Sequence, residues 1–188
     1  MNNLNGNPLV KTRSERFHPD LVLAFQIFIL MLAGATAVLL HARFKNPLHL
    51  PGHHGIEFMA LATFMAMRFK FKMRGIFFSL GAGAMLFVPF LGFSDPVAEI
   101  VFMLPAIVLC LLMDVFKGRK KLQFAILPIF GGLAYMTIPL LRLFVYSTTG
   151  FPYKSIIMHP VYTIAMHFVF GVAGTLLGYS IYRGLKSL

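Results

Sequence analysis

Six apolar runs divide the chain, over residues 21–40, 55–67, 75–91, 96–115, 122–145 and 160–182. Polar residues, glycine and proline collect between them. A straight helix needs about 20 apolar residues to cross the hydrocarbon of a bilayer. The first, fourth, fifth and sixth runs reach that length, whereas the second has 13 residues and the third 17. Short segments are tolerated where neighbouring helices enclose them. The pattern predicts an all-α polytopic membrane protein of six helices. A polar cytoplasmic segment, 1–20, leads into a single membrane domain, 21–188, whose outer loop spans 41–54.

The cations set the expected orientation. Lys11, Arg13, Arg16, Arg68, Lys70, Lys72, Arg74, Lys117, Arg119, Lys120, Lys121, Arg183 and Lys186 fall on one side of the alternating runs. Only Arg43, Lys45, Arg142 and Lys154 fall on the other. Cytoplasmic loops carry the excess of Lys and Arg, so both termini are expected inside, with an even number of spans.

Composition agrees with this pattern. Hydrophobic residues make up 58% and charged residues 12% of the 188, about half the charged share of a soluble domain, which is roughly 25%. Mean hydropathy is +0.78. The net charge of +11 suits anionic lipid head groups beside helix ends, and no nucleic-acid partner is expected. Cys110, the single cysteine, has no intrachain disulfide partner and reads as a packing residue. The expected location is an integral position in a cell membrane, the inner (plasma) membrane of a prokaryote.

The first outer loop is chemically the richest stretch. Residues 41–57 hold four of the seven histidines, with Pro47, Pro51, Gly52 and Gly55 interrupting helix. Leu48, Leu50 and Ile56 predict that this segment folds back as a cover over the bundle. His53, His54 and Glu57 are weak candidates for a metal. His54 and Glu57 share a helical face, but the two histidines four apart of a zincin are lacking. Adjacent His53 and His54 are expected to point in different directions.

Other ionisable groups lie close to or inside apolar runs, where they are costly without partners. Glu99 and Arg142 are expected either to pair or to line a polar cavity beneath the first loop. Asp95 reads as a helix cap, and Asp114 as a partner of the cations from Lys117 to Lys121. Tyr146 and Tyr153 suit an aromatic belt at the interface. His159 and His167 are separated by about 80° around the sixth helix, which puts them on different stripes and weakens a haem reading. Small residues (Ala33 and Ala37, Gly81 and Gly83, Gly131 and Gly132, Gly171, Gly174 and Gly178) predict close helix packing or a docking face for another subunit.

This layout resembles that of the substrate-binding S-components of energy-coupling factor (ECF) vitamin transporters. The family consists of small six-helix proteins with both termini inside and a long first external loop that helps cover a ligand pocket. Ala33 and Ala37, four apart, correspond to its small-residue pattern in the first helix. The metal-binding histidine at the N-terminus of the cobalt and nickel members has no counterpart near Met1. The resemblance implies capture of a small polar, vitamin-like molecule from outside, without a cofactor and without catalysis. Asn46, His53, His54, Glu57, Glu99, Arg142, Tyr153 and His159 are the candidate contacts. It further implies a membrane coupling subunit and cytoplasmic ATPases as partners, since the sequence holds no P-loop. The competing expectations are a non-catalytic membrane scaffold and a metal-dependent membrane enzyme built on the His and Glu residues.

Overall fold

A computed structural model describes residues 19–43, 50–88, 91, 95, 97–118 and 120–187. The helices are α1 (Pro19–Arg43), α2 (Gly55–Arg68), α3 (Arg74–Leu86), α4 (Ala98–Val115), α5 (Lys120–Thr149), α6 (Lys154–Met158) and α7 (Pro160–Lys186). Among the described residues there is no strand. Four helices, α1, α4, α5 and α7, are long and apolar enough to cross a membrane. Their outward faces expose large apolar side chains, including Phe25, Phe28, Leu32, Leu133, Val161 and Leu177. Both features are consistent with an integral membrane protein.

Several boundaries differ from the sequence pattern. Helix α1 continues through His41 and Arg43, two residues that the sequence pattern assigns to the first connection. Helix α3 has 13 residues and ends at Leu86, five short of the apolar run. Hydrophobicity persists there after the helix has stopped. Helix α5 runs to Thr149 and is closed by Gly150, whose φ of +72° permits the left-handed stop common at helix ends. The connection after it contains the unexpected short helix α6. Pro160 then starts α7 at a position where its missing N–H costs nothing.

Contacts between elements close a ring in the order α1, α3, α4, α5, α7, α2 and back to α1. Helix α2 also touches α3, α4 and α5, so it lies toward the inside of the ring. No residue of α2 before Arg68 is exposed. This explains how a 14-residue helix, too short to cross a bilayer alone, is accommodated: protein surrounds it. Close approach depends on glycine. A Cβ on Gly34 would collide with the carbonyl oxygen of Phe78, and one on Gly81 with that of Met31, so α1 and α3 meet backbone to backbone. Gly174 lies similarly against the carbonyls of Gly55 and Ile56. The small residues thus serve packing within the chain, as does buried Cys110.

At the bundle end away from the histidines, Arg74 is 4% exposed. Its Nη2 lies 2.7 Å from Asp114 Oδ1 and its Nη1 3.2 Å from Oδ2. Nε donates to the Ala66 carbonyl at 3.1 Å. Asp114 therefore pairs with Arg74 on α3. Arg74, rather than a cation of the 117–121 stretch alone, is thus its partner among the described residues, held in a fork geometry that carboxylates favour.

Candidate ligand-binding site

At the opposite end, five elements converge on a cavity of about 420 Å³. His41 comes from the last turn of α1, and Gly52, His53 and His54 from the turn before α2. Phe102 comes from α4, Tyr135 and Arg142 from α5, Thr163 and His167 from α7, and His159 from the position just before α7. The 50–54 turn is held in place by Gly52, whose φ is +80° and whose Cα faces the His167 ring. A Cβ there would lie 2.8 Å from that imidazole. Gly55 N–H closes the turn by donating to the Gly52 carbonyl at 2.8 Å.

The imidazoles form a chain of contacts. Ring centroids of His53 and His54 are 3.9 Å apart, those of His54 and His41 4.2 Å, and those of His41 and Phe102 4.8 Å. The expectation that adjacent His53 and His54 diverge is corrected here, because the tight turn at Pro51–His54 brings their rings together. His167 stacks on Tyr135 at 5.3 Å. His159 and His167 share the cavity wall; His159 precedes α7 with a non-helical backbone, so the helical angle expected between the two does not apply.

Backbone carbonyls fix two of these rings. His53 Nδ1 is 2.5 Å from the Leu50 carbonyl oxygen, and His167 Nδ1 is 2.7 Å from that of Thr163. A carbonyl only accepts, so each Nδ1 carries the proton and the neutral ring leaves its lone pair on Nε2. Nε2 of His53, Nδ1 of His54 and Oε2 of Glu57 are buried with no hydrogen-bond partner among the described residues. Burial and the neighbouring His53 hold His54 below the ordinary histidine range, with Glu57 opposing them.

Arg142 stands where the cavity meets a second space lined by Asp95, Phe151, Tyr153 and Lys154. Its Nε is 2.9 Å and its Nη2 2.8 Å from Asp95 Oδ2. Tyr153 donates its hydroxyl to Asp95 Oδ1 at 2.9 Å, and Val97 N–H donates to the same oxygen at 3.1 Å. Burial and the Asp95 carboxylate push the Tyr153 phenol up to about 12. Asp95 therefore neutralises Arg142 and folds the chain ahead of α4, but it does not cap the helix as expected: the N-cap is Val97, and no side chain caps it. The expected Glu99–Arg142 pair does not form. Glu99 is half-buried on α4 with no ion-pair or hydrogen-bond partner among the described residues, and it lines neither space.

Of the candidate contacts, His53, His54, Arg142 and His159 line the histidine cavity. Tyr153 lines the adjoining space and is buried rather than lying in an interfacial belt. Glu57 sits one turn into α2 and does not line the cavity. Asn46 lies outside the described residues. Among the described residues no three His, Cys, Asp or Glu side chains are placed to hold one metal ion, so His53, His54 and Glu57 do not form a three-ligand centre as they stand. His41, Tyr135, Thr163 and His167 are wall residues that sequence reasoning did not select. The available signal was positional: His41, His53, His54, His159 and His167 all lie within about two turns of the same bundle end. Comparison with family models, curated proteins and solved structures finds no match.

Proposed function

We propose that this protein is the solute-binding membrane subunit of a transporter. It has six membrane helices with both termini in the cytoplasm, and it captures a small polar molecule from the outer side of a prokaryotic plasma membrane. The observation that carries the reading is the cavity itself. It lies at one end of the bundle, and it is distinguished by the polar side chains from α1, α5, α7 and the 50–54 turn that converge on it. Its volume falls within the range of small-molecule sites, about 300–1,000 Å³. His159, at its mouth, is exposed. Inward release is assigned to a separate coupling subunit and ATPases, as the family resemblance implies.

Mass spectrometry of small molecules retained by gently purified protein tests this reading. A solute bound at one per chain, lost in Arg142→Met and kept in Glu99→Gln, is the expected result. A protein that stays empty in the presence of candidate solutes, while co-purifying with a large membrane partner, would overturn it in favour of a scaffold.

A further inference from the structure

At the bundle end away from the histidines, cations gather on the walls of a recess. Two adjoining spaces, of about 410 and 380 Å³, lie there, and Met67, Phe124, Tyr182 and Lys186 line both. Lys70 from the connection after α2 and Lys117 from the turn after α4 line the larger space. Arg183, in the last turn of α7 with Lys186, lines the smaller. Independently of the histidine cavity, we infer that this recess seats the head group of one anionic phospholipid.

Charge comes first. Asp114 is the only acid lining either space among the described residues, and Arg74 already engages both of its oxygens. Lys70, Lys117, Arg183 and Lys186 form no ion pair among the described residues. Four positive charges without a counter-charge at one recess are stabilised by an anion brought among them. Arg183 is already held at the wall: its Nη1 donates to the Tyr179 hydroxyl at 3.4 Å, and its guanidinium stands 6.0 Å over that ring. Basic surfaces at helix ends attract anionic lipid in general, whereas basic pockets between membrane helices hold individual head groups. The walls also select an anion that carries hydrocarbon. Phe124 lines both spaces, stacks on Tyr179 at 6.0 Å, and is itself 40% exposed. Leu122 and Leu185, each next in the chain to a wall residue, are exposed large apolar side chains. Apolar surface thus continues from the recess onto the outer faces of α5 and α7, giving acyl chains a surface to lie on. A soluble anion makes no use of that surface, and a recess of this volume suits a head group better than a folded acidic partner.

The test uses the full chain in mild detergent, with native mass spectrometry counting bound molecules. Dioleoyl phosphatidylglycerol, dioleoyl phosphatidylcholine, glycerol phosphate and an oligoglutamate peptide are titrated separately. Phosphatidylglycerol should be retained at one per chain, and each of the others at least about tenfold more weakly. Lys117→Gln combined with Lys186→Gln should weaken phosphatidylglycerol binding at least about tenfold. Arg68 and Lys72 are exposed at the same end but line neither space. Removing the same charge there, by Arg68→Gln combined with Lys72→Gln, should change binding less than about twofold. All four side chains are exposed, so both double variants should keep the parent's unfolding midpoint. Equal losses from the two pairs would mean diffuse attraction to a charged surface and overturn the seat. Phosphatidylcholine retained as tightly as phosphatidylglycerol, or neither lipid retained, would overturn it as well. Glycerol phosphate binding as tightly as the lipid would reassign the recess to a soluble anion, and tighter binding of the peptide would reassign it to an acidic protein partner.

Discussion

Arg142 on α5 and Asp95 ahead of α4 meet at 2.8 Å although 47 residues separate them in the chain. Tyr153 donates to the free side of the same carboxylate, so three connections are tied at one point beside the cavity. Removing one partner leaves the other charge partly buried and unpaired. Side-chain exposures of 26% and 14% moderate that cost through solvent screening. Asp95→Asn should therefore destabilise the protein by about 1–3 kcal/mol, read as a lowered unfolding midpoint in detergent. Tyr153→Phe should cost less, because the Arg142–Asp95 pair remains.

The Arg74–Asp114 pair is asymmetric, with side-chain exposures of 5% and 30%, so it is Arg74 that is stranded in the interior when Asp114 is changed. Asp114→Asn should destabilise by about 3–5 kcal/mol, the cost of stranding a buried charge. Combining it with Arg74→Met should recover part of that loss. A double-mutant cycle showing simple additivity would mean the two side chains do not interact.

Packing of α1 on α3 predicts intolerance at two glycines. Gly34→Ala and Gly81→Ala each place a methyl against backbone that has no rotamer to change. Each should cost at least about 1–3 kcal/mol. Gly118→Ala and Gly184→Ala meet nothing within 4 Å and should remain within about 0.5 kcal/mol of the parent.

His54 gives the stability a defined pH dependence. Its folded value lies below the ordinary 6.5, so the unfolded chain binds this proton more readily. The contribution is fully present above 6.5 and is lost as pH falls below it toward the folded value. This one group adds a slope of at most about 1.4 kcal/mol per pH unit. Unfolding midpoints measured across that window should fall with acid, and less steeply in His54→Gln.

Orientation is tested with introduced cysteines in a Cys110→Ala background. Ser147 and Ser187 are both exposed and lie at opposite ends of the bundle. Ser147→Cys should react with an impermeant maleimide in intact cells, and Ser187→Cys only after the cells are opened. The reverse pattern would invert the proposed topology.

The helices were legible because lipid-facing and buried positions are both apolar, so each run stands out from its connections. The same property hid where helices stop. Residues 87–91 are as hydrophobic as α3 itself, and only the structure shows α3 ending at Leu86. Helix α6 was masked by the turn residues Gly150 and Pro152 beside it. The polar partners were ambiguous for a geometric reason. Asp95 and Glu99 are both near the start of α4, and helical phase cannot choose between them when Asp95 lies outside the helix. Arg74 sits in a run of cations that reads as solvent-facing, yet its side chain turns inward to Asp114. His53, His54, Arg142 and His159 were accessible from their loop and span-end positions. His41 and His167 lie within helices, and only the assembled bundle shows that they face one cavity with the others.

The enclosure of α2 sets an order for biogenesis. A 14-residue helix carrying Glu57 and Arg68 is a poor substrate for stable partitioning out of the translocon by itself. It packs most closely on α7, through Gly174 and Gly178, and α7 is made after α3, α4 and α5. Helix α2 must therefore wait for a much later helix, and the histidine cavity comes into existence only once α7 has joined the bundle.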